Sequence, residues 1–273
     1  MRALVSPAVV VALLTPFGRD GHPDAAALSE HVEHLIEDGV DGLMPCGTTG
    51  EGPLLTEAEV AAVVVAVVEA ARGRIPTLAH VGRPDTAGTT RLARRALADG
   101  ADGVSAVVPY YYALEDAQIV AHYRALIEVA EGTPAYAYTI PARKGNELSV
   151  EAARSLALDG LAGIKDSTKS LERHREYLDT GLAVLMGSDG LVAEALSAGA
   201  AGCVSAVANV RPDLLLRLKE AFAAGRDDEA SAAQEELSAL RADLSRDRPL
   251  AGLKRAAAER ITGYPSAVRA PVG

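Results

Sequence analysis

Cysteine is nearly absent: the 273 residues hold two, Cys46 and Cys203, each inside a run that reads as a strand. They are expected to act as small buried apolar residues in a reducing compartment, not as a disulfide or a metal pair. Basic residues are in the minority, 27 against 37 acidic ones, for a net charge of −10. Nucleic acid and anionic membranes are bound through basic patches, so neither is an expected partner. No Pro/Gly/Ser-rich linker interrupts the chain, which at 49% hydrophobic residues can bury one large core. The apolar run from Ala8 to Leu14 is too short to span a bilayer. Nor does it read as a signal peptide, because one Arg precedes it and Thr15-Pro16-Phe17 follows without a small-residue cleavage site. A cytoplasmic protein is expected. Two chemical devices are lacking as well. The glycine-rich stretch Gly47-Thr48-Thr49-Gly50-Glu51-Gly52 continues into Pro53-Leu54, where a phosphate loop needs Lys and Ser or Thr. The histidines do not gather: His31, His34, His122 and His174 fall on predicted outer helices, His22 in a loop, and His80 alone near a strand end, so no metal is expected.

What the chain does have is regular alternation. Strand-like runs at Ala8 to Leu14, Leu43 to Cys46, Pro76 to Val81, Gly103 to Val108, Pro134 to Thr139, Leu161 to Asp166, Ala183 to Met186 and Cys203 to Val207 are separated by amphipathic helices. The helix at Asp24 to Asp38 carries Leu28, Val32, Leu35 and Ile36 on one face and stops at Gly39. Another opens on the capping box Thr56-Glu57-Ala58-Glu59. Further helices are predicted near 86–99, 115–130, 150–158, 171–178 and 191–198, and after Pro212. Glycine at the helix C′ position accounts for a weak repeat, Gly39-Val-Asp-Gly42, Gly100-Ala-Asp-Gly103 and Gly199-Ala-Ala-Gly202, each running into a strand. Eight βα units predict an α/β fold, a (β/α)8 TIM barrel over residues 1–224. An open doubly wound sheet is the alternative, but it would carry a glycine-rich turn after its first strand, and Leu13-Leu14-Thr15-Pro16-Phe17 has none. Residues 225–273 read as a C-terminal helical extension packed on the barrel, with helices over 227–244 and 250–261.

Active sites of such barrels lie at the C-terminal ends of the strands. Those positions offer Gly47 to Gly52 after the second strand, Pro109-Tyr110-Tyr111-Tyr112 after the fourth, Tyr138 ending the fifth, Lys165 ending the sixth, and Gly187-Ser188-Asp189-Gly190 after the seventh. Hydroxyls and one amine therefore share a mouth that has no carboxylate pair. An amine held against apolar walls is desolvated, which favours its neutral, nucleophilic form and suits it to Schiff-base chemistry. A lysine that merely ends a strand at the surface is the plain alternative. Closely spaced N–H groups and two threonine hydroxyls make Gly47 to Gly52 a concavity for a carboxylate, unless it is an ordinary loop. Tyr112 and Tyr136 read as amphipathic core-edge residues. Alternation sets Tyr136 and Tyr138 on the face opposite Ala137.

These motifs, with Gly163-Ile164-Lys165-Asp166, Tyr138-Thr139-Ile140-Pro141 and Val207-Ala208-Asn209-Val210 in order, resemble the dihydrodipicolinate synthase/N-acetylneuraminate lyase superfamily of pyruvate-dependent class I aldolases. The resemblance spans nearly the whole chain. It implies a covalent Schiff base between Lys165 and pyruvate without other cofactor, and Tyr138 as the proton shuttle. It implies Thr48 and Thr49 as carboxylate ligands, with Thr49 also in a hydroxyl relay, and Tyr111 as the relay tyrosine that crosses from a neighbouring subunit. A homo-oligomer, dimer or tetramer, follows, with Gly187, Ser188 and Val204 among the substrate-binding residues. Arg143 matches the arginine that holds the carboxylate of aspartate semialdehyde in synthases of the family. Thr139, Lys144 and Gly52 depart from the synthase pattern, and the Gly-Glu-Gly and Gly-Ser-Asp forms look more like 2-keto-3-deoxy-sugar-acid aldolases, whose substrate would lean on Thr139 and Ser188. A non-catalytic barrel that binds a keto acid is a third reading, set against the joint presence of Lys165, Tyr138, Thr49 and Tyr111.

Overall fold

Strands form where small and β-branched apolar residues run together, and helices begin where a polar side chain can take up the free N–H groups of a first turn. The computed structural model describes residues 4–143, 145–246 and 248–273, except for the side chain of Arg143. Its first half holds β1 (Ala8–Ala12), α1 (Ala25–Glu37), β2 (Gly42–Met44), α2 (Glu57–Ala71), β3 (Leu78–His80), α3 (Thr86–Ala98), β4 (Gly103–Val107) and α4 (Asp116–Ala130). There follow β5 (Ala135–Thr139), α5 (Val150–Leu158), β6 (Gly163–Asp166), α6 (Leu171–Leu178), β7 (Ala183–Met186), α7 (Val192–Ser197), β8 (Gly202–Ser205) and α8 (Pro212–Ala223). Helices α9 (Asp227–Leu244) and α10 (Pro249–Arg260) complete the chain's regular structure.

All strand pairs are parallel, in the order β2-β1-β8-β7-β6-β5-β4-β3. Strands β2 and β3 meet through the single bridge Leu43 to Thr77, with the Leu43 N–H donating to the Pro76 carbonyl at 3.0 Å. The expected barrel is thus nearly closed. Side-chain alternation divides its core in two. Val10, Met44, Leu78, Tyr136, Leu185 and Val204 fill the interior, whereas Val9, Val11, Leu43, Ile164 and Val184 face the surrounding helices and meet Val32, Leu35, Val64 and Val67. In β6 this leaves Ile164 outside and Lys165 inside.

Helix starts follow the sequence closely. Asp24 accepts from the N–H groups of Ala26 and Ala27, and the Thr56/Glu59 capping box closes in both directions. Strand ends follow it less well. Strand β1 stops at Ala12 because the Leu14 N–H is taken by Asn209 Oδ1 at 3.0 Å instead of by a neighbouring strand. Cys46, expected within the second strand, lies beyond it in a left-handed turn at φ +62°, where the chain must swing into the glycine-rich loop. Both cysteines are buried and free; burial pushes the Cys46 thiol up to about 12 and that of Cys203 further. Tyr136 is buried inside the barrel, but Tyr112, expected at a core edge, is exposed. Among the described residues no helix is long and apolar enough to cross a membrane.

Candidate active site

At the C-terminal mouth of the barrel lies a cavity of about 540 Å³, lined by Thr48, Thr49, Tyr138, Lys165, Gly187, Ser188 and Val204 among others. Seven of the residues singled out from sequence are therefore together, although they come from five separate βα units. Lys165 is buried, at 4% exposure. Its Nζ stands 4.2 Å from the centroid of the Tyr138 ring, because β5 and β6 pair with Tyr138 directly beside Lys165. The Tyr138 hydroxyl lies 3.3 Å from Thr48 Oγ1. The hydroxyl that reaches the phenol is thus that of Thr48, while Thr49 lines the same cavity.

His80 completes this floor, and nothing in the sequence beyond its place near a strand end marks it. Its ring stands edge-on to Tyr138 with centroids 5.9 Å apart, and its Nε2 accepts the Val107 N–H at 3.1 Å. Burial and then the nearby Lys165 charge push its pKa down to about 3. The imidazole is accordingly neutral at neutral pH, packed edge-on against the Tyr138 ring.

The threonine loop is held from a direction the sequence does not reveal. Glu51, in left-handed backbone at φ +56°, turns its carboxylate inward to Lys254 of α10. Their side chains are fully buried and 2.6 Å apart. Lys254 also donates to the Ala267 carbonyl at 2.7 Å and lies over the Phe17 ring, while the Arg269 N–H donates to Glu51 Oε2 at 2.8 Å. The Arg269 guanidinium grips both oxygens of Glu59, which holds that carboxyl down at about 2. The C-terminal extension thereby fastens the loop that presents Thr48 and Thr49. Gly52 closes the loop, its N–H donating to the Gly47 carbonyl at 3.0 Å. A Cβ there would overlap the Cys46 carbonyl oxygen. Gly52→Ala is expected to cost about 1–3 kcal/mol of overpacking and to weaken binding at the threonine loop, as read by urea denaturation and steady-state kinetics. Unchanged values of both would mean that the loop's shape is not set at this point.

On the opposite wall, Ser205 Oγ donates to Asp189 Oδ1. Arg241 of α9 brings its Nε to 3.7 Å from Asp189 Oδ2. Burial raises the Asp189 pKa above the usual carboxyl range, against the pull of Ser205 and Arg241. Asp189, Ser167, Lys169 and Arg241 line the same cavity; of these only Asp189 stood at a strand end that sequence could flag.

Some expected residues lie elsewhere. Thr139 is fully buried on the outer side of β5, its Oγ1 accepting from the Leu148 N–H at 3.5 Å. It cannot contact a substrate, because alternation turns it away from Tyr138. Tyr111 is 83% exposed, at φ +84° and edge-on to Tyr112, outside the cavity formed by its own chain. The side chains of Arg143 and Lys144 lie outside the described residues, although the backbone of Arg143 closes a short 3₁₀ turn at Pro141–Arg143 beside the mouth. Among the described residues, no group of three or more His, Cys, Asp or Glu side chains is arranged to hold a metal ion.

The family model described as the dihydrodipicolinate synthetase family matches residues 6–273. An uncharacterized DapA-like lyase of Halobacterium salinarum is 43% identical over 251 residues, covering 91% of this chain and 82% of that protein. A 4-hydroxy-tetrahydrodipicolinate synthase of Methylobacterium radiotolerans is 40% identical over 239 residues, covering 86% and 79%. A solved structure of a variant 2-keto-3-deoxygluconate aldolase from Sulfolobus solfataricus superposes with a TM-score of 0.89 at 26% identity, covering 97% of this chain and 89% of that one.

Proposed function

The chain belongs to the dihydrodipicolinate synthetase family and is a class I lyase, and from that premise we propose that it condenses pyruvate with aspartate semialdehyde through an enamine on Lys165. The observation that carries this reading is the buried Lys165 amine, 4.2 Å from the Tyr138 ring centre, in a cavity that also presents the hydroxyls of Thr48 and Thr49. Lys165 Nζ attacks C2 of pyruvate, whose carboxylate sits on Thr48, Thr49 and the N–H groups of their loop. The resulting carbinolamine must shed its oxygen as water. The Tyr138 phenol, hydrogen-bonded to Thr48, donates the proton that this departure needs and regains one later. The iminium draws electrons from the pyruvate methyl group. Loss of a methyl proton gives the enamine, whose carbon attacks the aldehyde of the acceptor and forms the new carbon–carbon bond. Release of the lysine from the product imine, by water or by an amine of the acceptor, closes the cycle. Arg143, from the turn after β5, is the proposed partner of the acceptor carboxylate, since its fork can bond both oxygens. A relay through Tyr111 needs a second copy of the chain, because each chain's own Tyr111 faces solvent, so the proposed active form is a homo-oligomer.

Borohydride added with pyruvate is expected to fix a pyruvyl adduct on the peptide containing Lys165, read by mass spectrometry. An unmodified Lys165 would sink the mechanism. The second reading, cleavage of a 2-keto-3-deoxy sugar acid, draws on the likeness to the Sulfolobus aldolase and on Ser167 and Ser188 beside Lys165. Burial of Thr139 removes one hydroxyl that this reading would have used. Turnover of aspartate semialdehyde but not of 2-keto-3-deoxygluconate supports the synthase, and the reverse supports the aldolase.

A further inference from the structure

The charges of the main cavity do not balance. The chain as a whole carries −10, yet among the described residues the charged groups lining this cavity are Lys165, Lys169, Arg241 and the single carboxyl of Asp189. A mouth lined by one sign of charge on a protein of the opposite sign concentrates ligands of its own counter-charge. Pyruvate accounts for part of the excess: its carboxylate has Thr48, Thr49 and their loop, and Lys165 is consumed in the imine. Lys169 then remains without an ionic partner among the described residues, and Arg241 keeps one edge beyond its contacts with Asp189 and Ser245.

Arg241 comes from α9, in the C-terminal extension. Its Nη1 donates to Ser245 Oγ at 2.9 Å and its Nε stands 3.7 Å from Asp189. Asp189 is in turn satisfied by Ser205. Nη2 makes no hydrogen bond among the described residues, and the side chain is 36% exposed, so one edge of a positioned guanidinium is open to the cavity. Lys169 lines the same cavity from the loop between β6 and α6. It is exposed and forms no ion pair among the described residues. Its backbone is left-handed at φ +63°, a conformation that favours glycine and strains any other residue.

We propose that Arg241 and Lys169 form an anion subsite in this cavity, which takes an acceptor carrying a carboxylate at the end opposite its aldehyde. The inference rests on the enamine reading of Lys165 and assigns the specificity for the second substrate to the C-terminal extension and the loop after β6, in addition to Arg143. An acceptor of this class places its aldehyde at the enamine and its carboxylate between the open edge of Arg241 and the ammonium of Lys169, which gives both a partner.

Two arms test it. Calorimetric titration with glutarate and with butyrate compares a dianion with a monoanion and requires no chemistry. The intact protein is expected to prefer glutarate by about tenfold, the scale of one good charge-assisted hydrogen-bonded contact. Arg241→Gln and Lys169→Ala should each erase most of that preference while leaving butyrate binding unchanged. In the kinetic arm, both variants are expected to raise the KM for succinic semialdehyde but not for uncharged butanal, with an undiminished yield of the borohydride-trapped pyruvate adduct. Lys169 is exposed, so its variant carries no folding cost that could mimic the effect. The proposal is overturned if both variants keep the wild-type preference for glutarate, or if only Arg143→Gln removes it. Failure of trapping in the wild-type protein would refute the imine reading, and the calorimetric arm would still decide the subsite.

Discussion

Replacing Lys254 with methionine lowers the stability of the protein by about 3–5 kcal/mol, the cost of stripping one partner from a buried ion pair, and a shift in the urea midpoint measures it. The reason lies in what remains. The Glu51 carboxylate has no solvent to turn to, and the Arg269 N–H is too small a compensation for a full charge in an apolar setting. Methionine fills much the same volume, so the loss comes from charge and not from a cavity. The double variant Glu51→Gln/Lys254→Met should recover most of the stability, because it removes both charges together. In the single variant the loop bearing Thr48 and Thr49 loses its anchor, and the KM for pyruvate is expected to rise with the destabilisation. Full stability in Lys254→Met would mean that the pair contributes nothing to the fold.

Tyr138→Phe has the opposite character. The ring stays beneath Lys165 and edge-on to His80, and only the hydroxyl bonded to Thr48 is lost, so the fold should be unaffected. The rate of pyruvate imine formation is expected to fall by about 10²–10⁴-fold, the usual contribution of a positioned acid–base group. Single-turnover trapping at timed intervals measures it. A rate close to that of the wild-type protein would show that some other group, or water, carries the proton.

The alternation of strands and helices, and most helix starts, could be read from sequence because their causes are local. A capping box spans four residues, and β-branched runs declare a strand without help from the rest of the chain. Lys165 and Tyr138 were legible for a related reason: strand ends in a barrel converge on one mouth, so position along a strand stands in for position in space. What was not legible came from contacts between distant parts. Lys254 and Arg269 sit in an ordinary helical and tail sequence, and nothing local marks them as partners of Glu51. Arg241 reads as one more charge on an amphipathic helix. Thr139 misled because a hydroxyl next to Tyr138 in sequence is on the other side of the strand in space. Cys46 misled because the strand's apolar run continues past the point where the loop takes over.

The anchoring of Glu51 by a residue far downstream also bears on how the protein is made. Lys254, the ionic partner of Glu51, lies 203 positions downstream, and at ribosomal speeds that stretch takes roughly 10 to 40 s to synthesise. For that interval the nascent barrel has a carboxylate whose counter-charge does not yet exist. The threonine loop is therefore fastened late although it is translated early, and a chain interrupted before Lys254 would carry the barrel strands with this loop unanchored.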